Sequence, residues 1–167
     1  MKNILLLLVP AFFIITAANA QTPEERLVEL GISLPEVRQP AANFVKWRRV
    51  DNLIFLAGTG SKAKGKLGKD LSVEEGYQAA RLTGIDILAT LKAACGSLDN
   101  IKQFVKVRGM VNSTPYFYDQ PDVINGFSDL MVEVFGEKGK HARAAVGHAS
   151  LPSDIAIEIE VIVEVKE

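Results

Sequence analysis

The run Ile155-Ala156-Ile157-Glu158-Ile159-Glu160-Val161 near the end of the chain constrains the fold more than any other stretch. Strand side chains alternate between faces, so Ile155, Ile157, Ile159, Val161 and Val163 share one face, and Glu158, Glu160 and Glu164 share the other. A sheet face that apolar is not left in water, and helices are its simplest cover. Residues 141–148, which include Arg143, form a second short segment compatible with a strand. Between the two lies Ser150-Leu151-Pro152-Ser153-Asp154, which is turn chemistry. The expectation is a hairpin that carries Arg143 toward the far end of the last strand. An arginine and carboxylates on nearby strands can together grip and protonate a small carboxylate substrate.

Upstream, residues 43–49 and 53–57 are short runs separated by Val50-Asp51-Asn52, which predicts another hairpin ended by Gly58-Thr59-Gly60. Residues 61–70 are rich in lysine and glycine. Their glycine spacing matches no phosphate-binding loop, so a solvated loop is expected. Ser72-Val73-Glu74-Glu75 has the spacing of a capping box and opens a long helix through Tyr77, Ala80, Ile85, Leu88 and Leu91, with Gly96 as terminator. A strand follows over 101–111, with Phe104 on one face and Val105 and Val107 on the other. Pro121-Asp122 starts a second helix whose Phe127, Leu130, Met131 and Val134 form one apolar stripe ending near Gly136. The predicted order is strand, strand, helix, strand, helix, strand, strand, a mixed sheet with two helices on one face. Its other face is then solvated or buried against another subunit, which predicts a closed symmetric oligomer with clefts at the joints.

Residues 1–20 stand apart. Lys2, an apolar run over 4–15 broken by Pro10, and Ala18-Asn19-Ala20 have the layout of a secretory signal peptide cleaved after Ala20. A secreted, periplasmic location is the expectation, with no membrane attachment after cleavage. Residues 21–39 are read as an amino-terminal arm with a short helix at its start, and 40–167 as a single domain. The net charge is −1 and falls further once Lys2 is removed, leaving no electrostatic footprint for nucleic acid. Cys95 is the only cysteine, so no intrachain disulfide forms, and its place at a helix end suits a small buried residue better than a reactive thiol. His141 and His148 have no second ligand pair at metal spacing, so no metal site is expected and both are read as surface or interface residues. Tyr116, Phe117 and Tyr118 fit a cleft mouth or a subunit contact equally well.

Taken together, the order of elements, Arg143 to Val146, Leu151-Pro152 and residues 154–160 resemble the carboxy-terminal signature of the YjgF/RidA family, the reactive intermediate deaminases, also labelled endoribonuclease L-PSP. Pro40-Ala41-Ala42, Leu56-Ala57-Gly58 and Ile124-Asn125 are further, weaker landmarks. The resemblance implies an α+β, chorismate-mutase-like fold and a homotrimer with a cleft at each subunit boundary. It also implies that Arg143 binds the carboxylate of a 2-enamino or 2-imino acid, which is hydrolysed to a 2-keto acid and ammonia without metal or cofactor. Glu158 matches the family's glutamate, and Asn125, Gly58 and Ala145 match positions lining the cleft. The alternatives are a non-catalytic, chaperone-like trimer that uses the same clefts and, last, an endoribonuclease.

The chain departs from active members at three places. Phe44-Val45-Lys46-Trp47 stands where they carry a tyrosine, Ala57 replaces a serine or threonine, and Ala145 replaces a frequent cysteine.

Overall fold

Two helix starts are decided locally. Thr22 and Ser72 each accept a hydrogen bond from the amide three residues on, and the Glu25 and Glu75 carboxylates each accept one from the cap residue's own amide. Both capping boxes are therefore complete, satisfying amides that the first turn leaves orphaned. The computed structural model describes residues 21–167, and the signal-peptide reading of residues 1–20 lies outside them. Within them the order is α1 (Pro23–Glu29), β1 (Trp47–Val50), β2 (Leu53–Leu56), β3 (Thr59–Gly60), α2 (Val73–Cys95), β4 (Ile101–Asn112), α3 (Gln120–Phe135), β5 (Ala142–His148) and β6 (Ile157–Val165). Gly96 and Gly136, both at positive φ, end the two long helices where the sequence places their terminators.

The strands form one sheet in the order β1-β2-β6-β4-β5, with β3 pairing the other half of β6 beyond β2. All pairs are antiparallel except β4 with β5. The expected β5–β6 hairpin is not formed, because β4 lies between the two strands. Two physical reasons account for this. A parallel β4–β5 pair needs a crossover, and α3 supplies it. β6 buries Ile157, Ile159, Val161, Val163 and Val165, so it takes the centre of the sheet, whereas the short, half-exposed β5 tolerates an edge.

The connection from β5 to β6 crosses the end of β4. There the fully buried Asn112 donates to the Asp154 carboxylate (3.0 Å) and accepts from Lys66 Nζ (2.7 Å). Lys66 also reaches the Ala149 carbonyl, and Lys64 the Ser153 carbonyl (2.9 Å). These bonds hold a connection in which Ser153 and Asp154 both adopt positive φ. The lysine-rich loop is thus not the freely solvated loop expected. Leu67 inside it is fully buried, and two of its lysines bind the β5–β6 connection.

Helices α2 and α3 cover one face of the sheet, as expected. They pack closely because a Cβ at Gly126 would overlap the Tyr77 carbonyl, and one at Gly84 would press on Leu130. Arg81 with Glu133 and Tyr77 with Asp129 clamp the exposed side of the pair. On β4 the structure corrects the face assignment. A register shift between Phe104 and Lys106 inserts Val105 as an extra residue, so Phe104 and Val107 both point at the helices and Val105 is exposed. The amino-terminal arm docks as well. Leu27 joins the core, and Glu24 accepts from Lys92 (2.6 Å) and the Leu98 amide (3.1 Å).

Candidate functional site

Register and face position Arg143. It pairs with Val107 of β4, whose side chain is buried beneath the helices, so Arg143 also points toward the helical face, at the rim made by edge strand β5. Asn125 and Ser128 of α3 lie one turn apart on the same side of that helix. Arg143 Nη1 donates to Asn125 Oδ1 (2.9 Å) and to Ser128 Oγ (3.0 Å). Asn125 is fixed in turn, since its Nδ2 donates to Asp122 Oδ1 (3.3 Å). Both hydrogens of Nη1 are thereby used. The Nε and Nη2 donors make no hydrogen bond among the described residues, leaving the side-on edge of the guanidinium that suits a bidentate carboxylate.

His141 completes the cluster. Its Nδ1 lies 2.7 Å from the Gly139 carbonyl and its Nε2 lies 3.1 Å from Ser128 Oγ. Phe127 and Phe104 pack around its ring. Burial lowers its pKa below the ordinary imidazole value, and the neighbouring Arg143 charge lowers it further, against the Gly139 hydrogen bond. Sequence reasoning set His141 aside as a metal ligand, read it as a surface or interface residue, and passed over Ser128. The three-residue spacing of Asn125 and Ser128 on one helix was the available signal.

The remaining predicted site residues lie elsewhere. Ala145 is two residues on from Arg143, on the same face, packed against the core. Glu158 pairs with Met110 of β4 rather than with Val107, an odd offset that places it on the sheet face opposite Arg143 and two strands away. Gly58 accompanies Glu158 there, since a Cβ at Gly58 would overlap the Glu158 carboxylate. Gly58 also borders a cleft of about 400 Å³ between the arm (Pro35 to Arg38), β3 and α2, whose walls do not include Arg143. Within one chain the predicted site residues therefore fall into two groups, Arg143 with Asn125 and Gly58 with Glu158. Among the described residues no group of three or more His, Cys, Asp or Glu side chains is placed to hold a metal ion.

Comparison with known proteins shows the family. Residues 24–164 match the family described as "YjgF/chorismate_mutase-like, putative endoribonuclease". The chain belongs to this family, and its mixed sheet and helical layer are that family's fold. It is 41% identical over 145 residues to protein TCP17 of Trypanosoma cruzi, covering 83% of this chain and 91% of that protein. Among solved structures, Atu1372 of Agrobacterium tumefaciens, whose function is unknown, is 41% identical with a TM-score of 0.80, over 87% of this chain and 94% of that one. A protein of Shewanella oneidensis called a "putative endoribonuclease" is 34% identical with a TM-score of 0.83, over 87% of this chain and all of that one.

Proposed function

We propose that this protein binds small carboxylates through Arg143 in clefts between copies of the chain, and there hydrolyses 2-enamino or 2-imino acids to 2-keto acids and ammonia. The observation that carries this reading is the guanidinium itself, held through Nη1 by Asn125 and Ser128 with its Nε–Nη2 edge unpartnered among the described residues. In the reaction, 2-aminoacrylate takes a proton on its terminal carbon to become the 2-imino acid. Water adds to the C=N carbon, and loss of ammonia leaves pyruvate. Arg143 anchors the carboxylate through its planar fork of donors and joins no proton transfer. Glu158 is the group suited to delivering the proton or orienting the water.

Because Arg143 and Glu158 lie on opposite faces of one sheet, a site that uses both must draw them from two chains. The proposed assembly is a homotrimer closing through the helix-free face, a reading supported by the exposed or half-exposed Phe55, Val105, Ile162 and Val146 that this face carries among its charges. The amino-terminal twenty residues add an exported, periplasmic location to the proposal.

The test is ammonia and pyruvate release from freshly generated 2-aminoacrylate. Acceleration by the mature chain that disappears in Arg143→Ala is the expected result, and no acceleration overturns the hydrolase. Light scattering behind size-exclusion chromatography reports on assembly, and a clean monomer overturns the shared cleft. A second reading, a trimer that binds without turnover, draws support from Ala57 and Ala145, which supply no hydroxyl or thiol to order water. Saturable pyruvate binding without ammonia release selects it.

A further inference from the structure

We propose that Ser128 and His141 are positioning residues for Arg143, forming a one-way hydrogen-bond chain, Arg143 to Ser128 to His141 to Gly139, that fixes the guanidinium so that its Nε–Nη2 edge meets the carboxylate. This deepens the proposed function and rests on Arg143 as the anchor.

Chemistry fixes every direction in the chain. A carbonyl oxygen only accepts, so at 2.7 Å from the Gly139 oxygen His141 Nδ1 carries the proton. In a neutral ring Nε2 is then an acceptor, and Ser128 donates its hydroxyl hydrogen across 3.1 Å. Ser128 Oγ is left to accept, and Arg143 Nη1, which can only donate, fills it at 3.0 Å. Protonated His141 would donate from both ring nitrogens. The Ser128 hydrogen would then have no acceptor among the described residues, and a second positive charge would stand beside Arg143. Enclosure by Phe104 and Phe127 opposes that state too. The neutral Nδ1–H tautomer and the aimed arginine are thus one arrangement. Ser128 is the hinge because it is the side chain that touches both.

The role differs from simple packing in what it controls. Asn125 and Ser128 take the two hydrogens of one nitrogen from two points of α3, which defines the plane of the guanidinium as well as its position. With Ser128 removed, Nη1 keeps a single tether and the plane is free to rotate about it. A bidentate carboxylate needs that plane.

Two measurements on the full mature chain test the proposal. The first needs no ligand. Side-chain ¹⁵N spectra of His141 at neutral pH should show a protonated Nδ1 and an unprotonated Nε2, and the Nε2–H tautomer overturns the chain outright. The second is calorimetric titration with pyruvate as probe. Ser128→Ala should raise Kd about tenfold, the size of a lost hydrogen bond to a charged group. Ser128→Thr, which keeps the hydroxyl, should recover most of that loss. Thermal melts of the same variants separate weaker binding from unfolding. Wild-type affinity in Ser128→Ala, with binding abolished in Arg143→Ala, overturns the positioning role and leaves the anchor standing. Unchanged affinity in Arg143→Ala overturns the anchor itself.

Discussion

The two faces of the sheet are built from the same alternating strands and meet different fates. Under the helices Ile157, Ile159, Val161, Val163 and Val165 of β6 are all buried, glycines let α2 and α3 approach closely, and the polar groups at the rim bind one another through Arg143, Asn125, Ser128 and His141. On the other face Glu160 and Arg108 face each other at 3.8 Å with about half of each side chain exposed, and Phe55 and Ile162 have no covering layer among the described residues. The difference teaches that alternation produces two faces but a layer of partners decides what each can do. A charge at the rim of the covered face is held from several directions. On the open face the Arg108–Glu160 pair is held loosely, whereas Glu164, which accepts from Asn52, Lys102 and Gln103, is comparably fixed.

The comparison breaks most readily at Gly126. Gly126→Ala would drive a Cβ into the Tyr77 carbonyl, backbone that cannot swing aside, and is expected to lower stability by about 3 kcal/mol in urea unfolding. It also displaces Asn125 and Ser128, so pyruvate binding falls with it. Next is Asn112→Ala, which leaves Lys66 and Asp154 without their shared buried partner. A loss of about 2 kcal/mol is expected by the same measurement.

A smaller effect depends on pH. His141 has its pKa lowered in the folded state, so the unfolded chain binds more protons below the ordinary value of 6.5. Its contribution to stability is therefore complete above pH 6.5 and declines as pH falls through the lowered value. Urea midpoints against pH should show that slope in the native chain and lose it in His141→Gln. The smallest effect belongs to the open face. Arg108→Ala is expected to change the stability of the isolated chain by about 0.5 kcal/mol or less, because an exposed pair at 3.8 Å adds little. A larger loss would show that the pair is buried by a partner.

Much of this fold was readable because it is written in local rules. Both long helices, their capping box and glycine ends, the β1–β2 hairpin and the buried face of β6 follow from spacing alone. The misreadings all concern contacts between segments, in strand pairing and in the docking of the lysine-rich loop. Nothing in residues 141–163 signals that β4 inserts between β5 and β6, since sequence-adjacent strands are the natural hairpin. Nor does the run around Val105 announce the extra residue that turns Phe104 and Val107 to one side. The site divides in the same way. Arg143 and Asn125 were both legible as candidates, and the structure joins them; Glu158 was legible as a candidate, and its face separates it from them.

By itself, then, the sequence determined which segments are helix or strand and which side of each strand is apolar, because those depend on periodicity and on caps within a few residues. The tertiary structure decided strand order, the burial of Leu67 and the tethering of Lys66 in a loop that reads as solvated, and the chain from Arg143 to Gly139. These depend on side chains far apart in sequence meeting donor to acceptor, and such encounters exist only after the layers have packed.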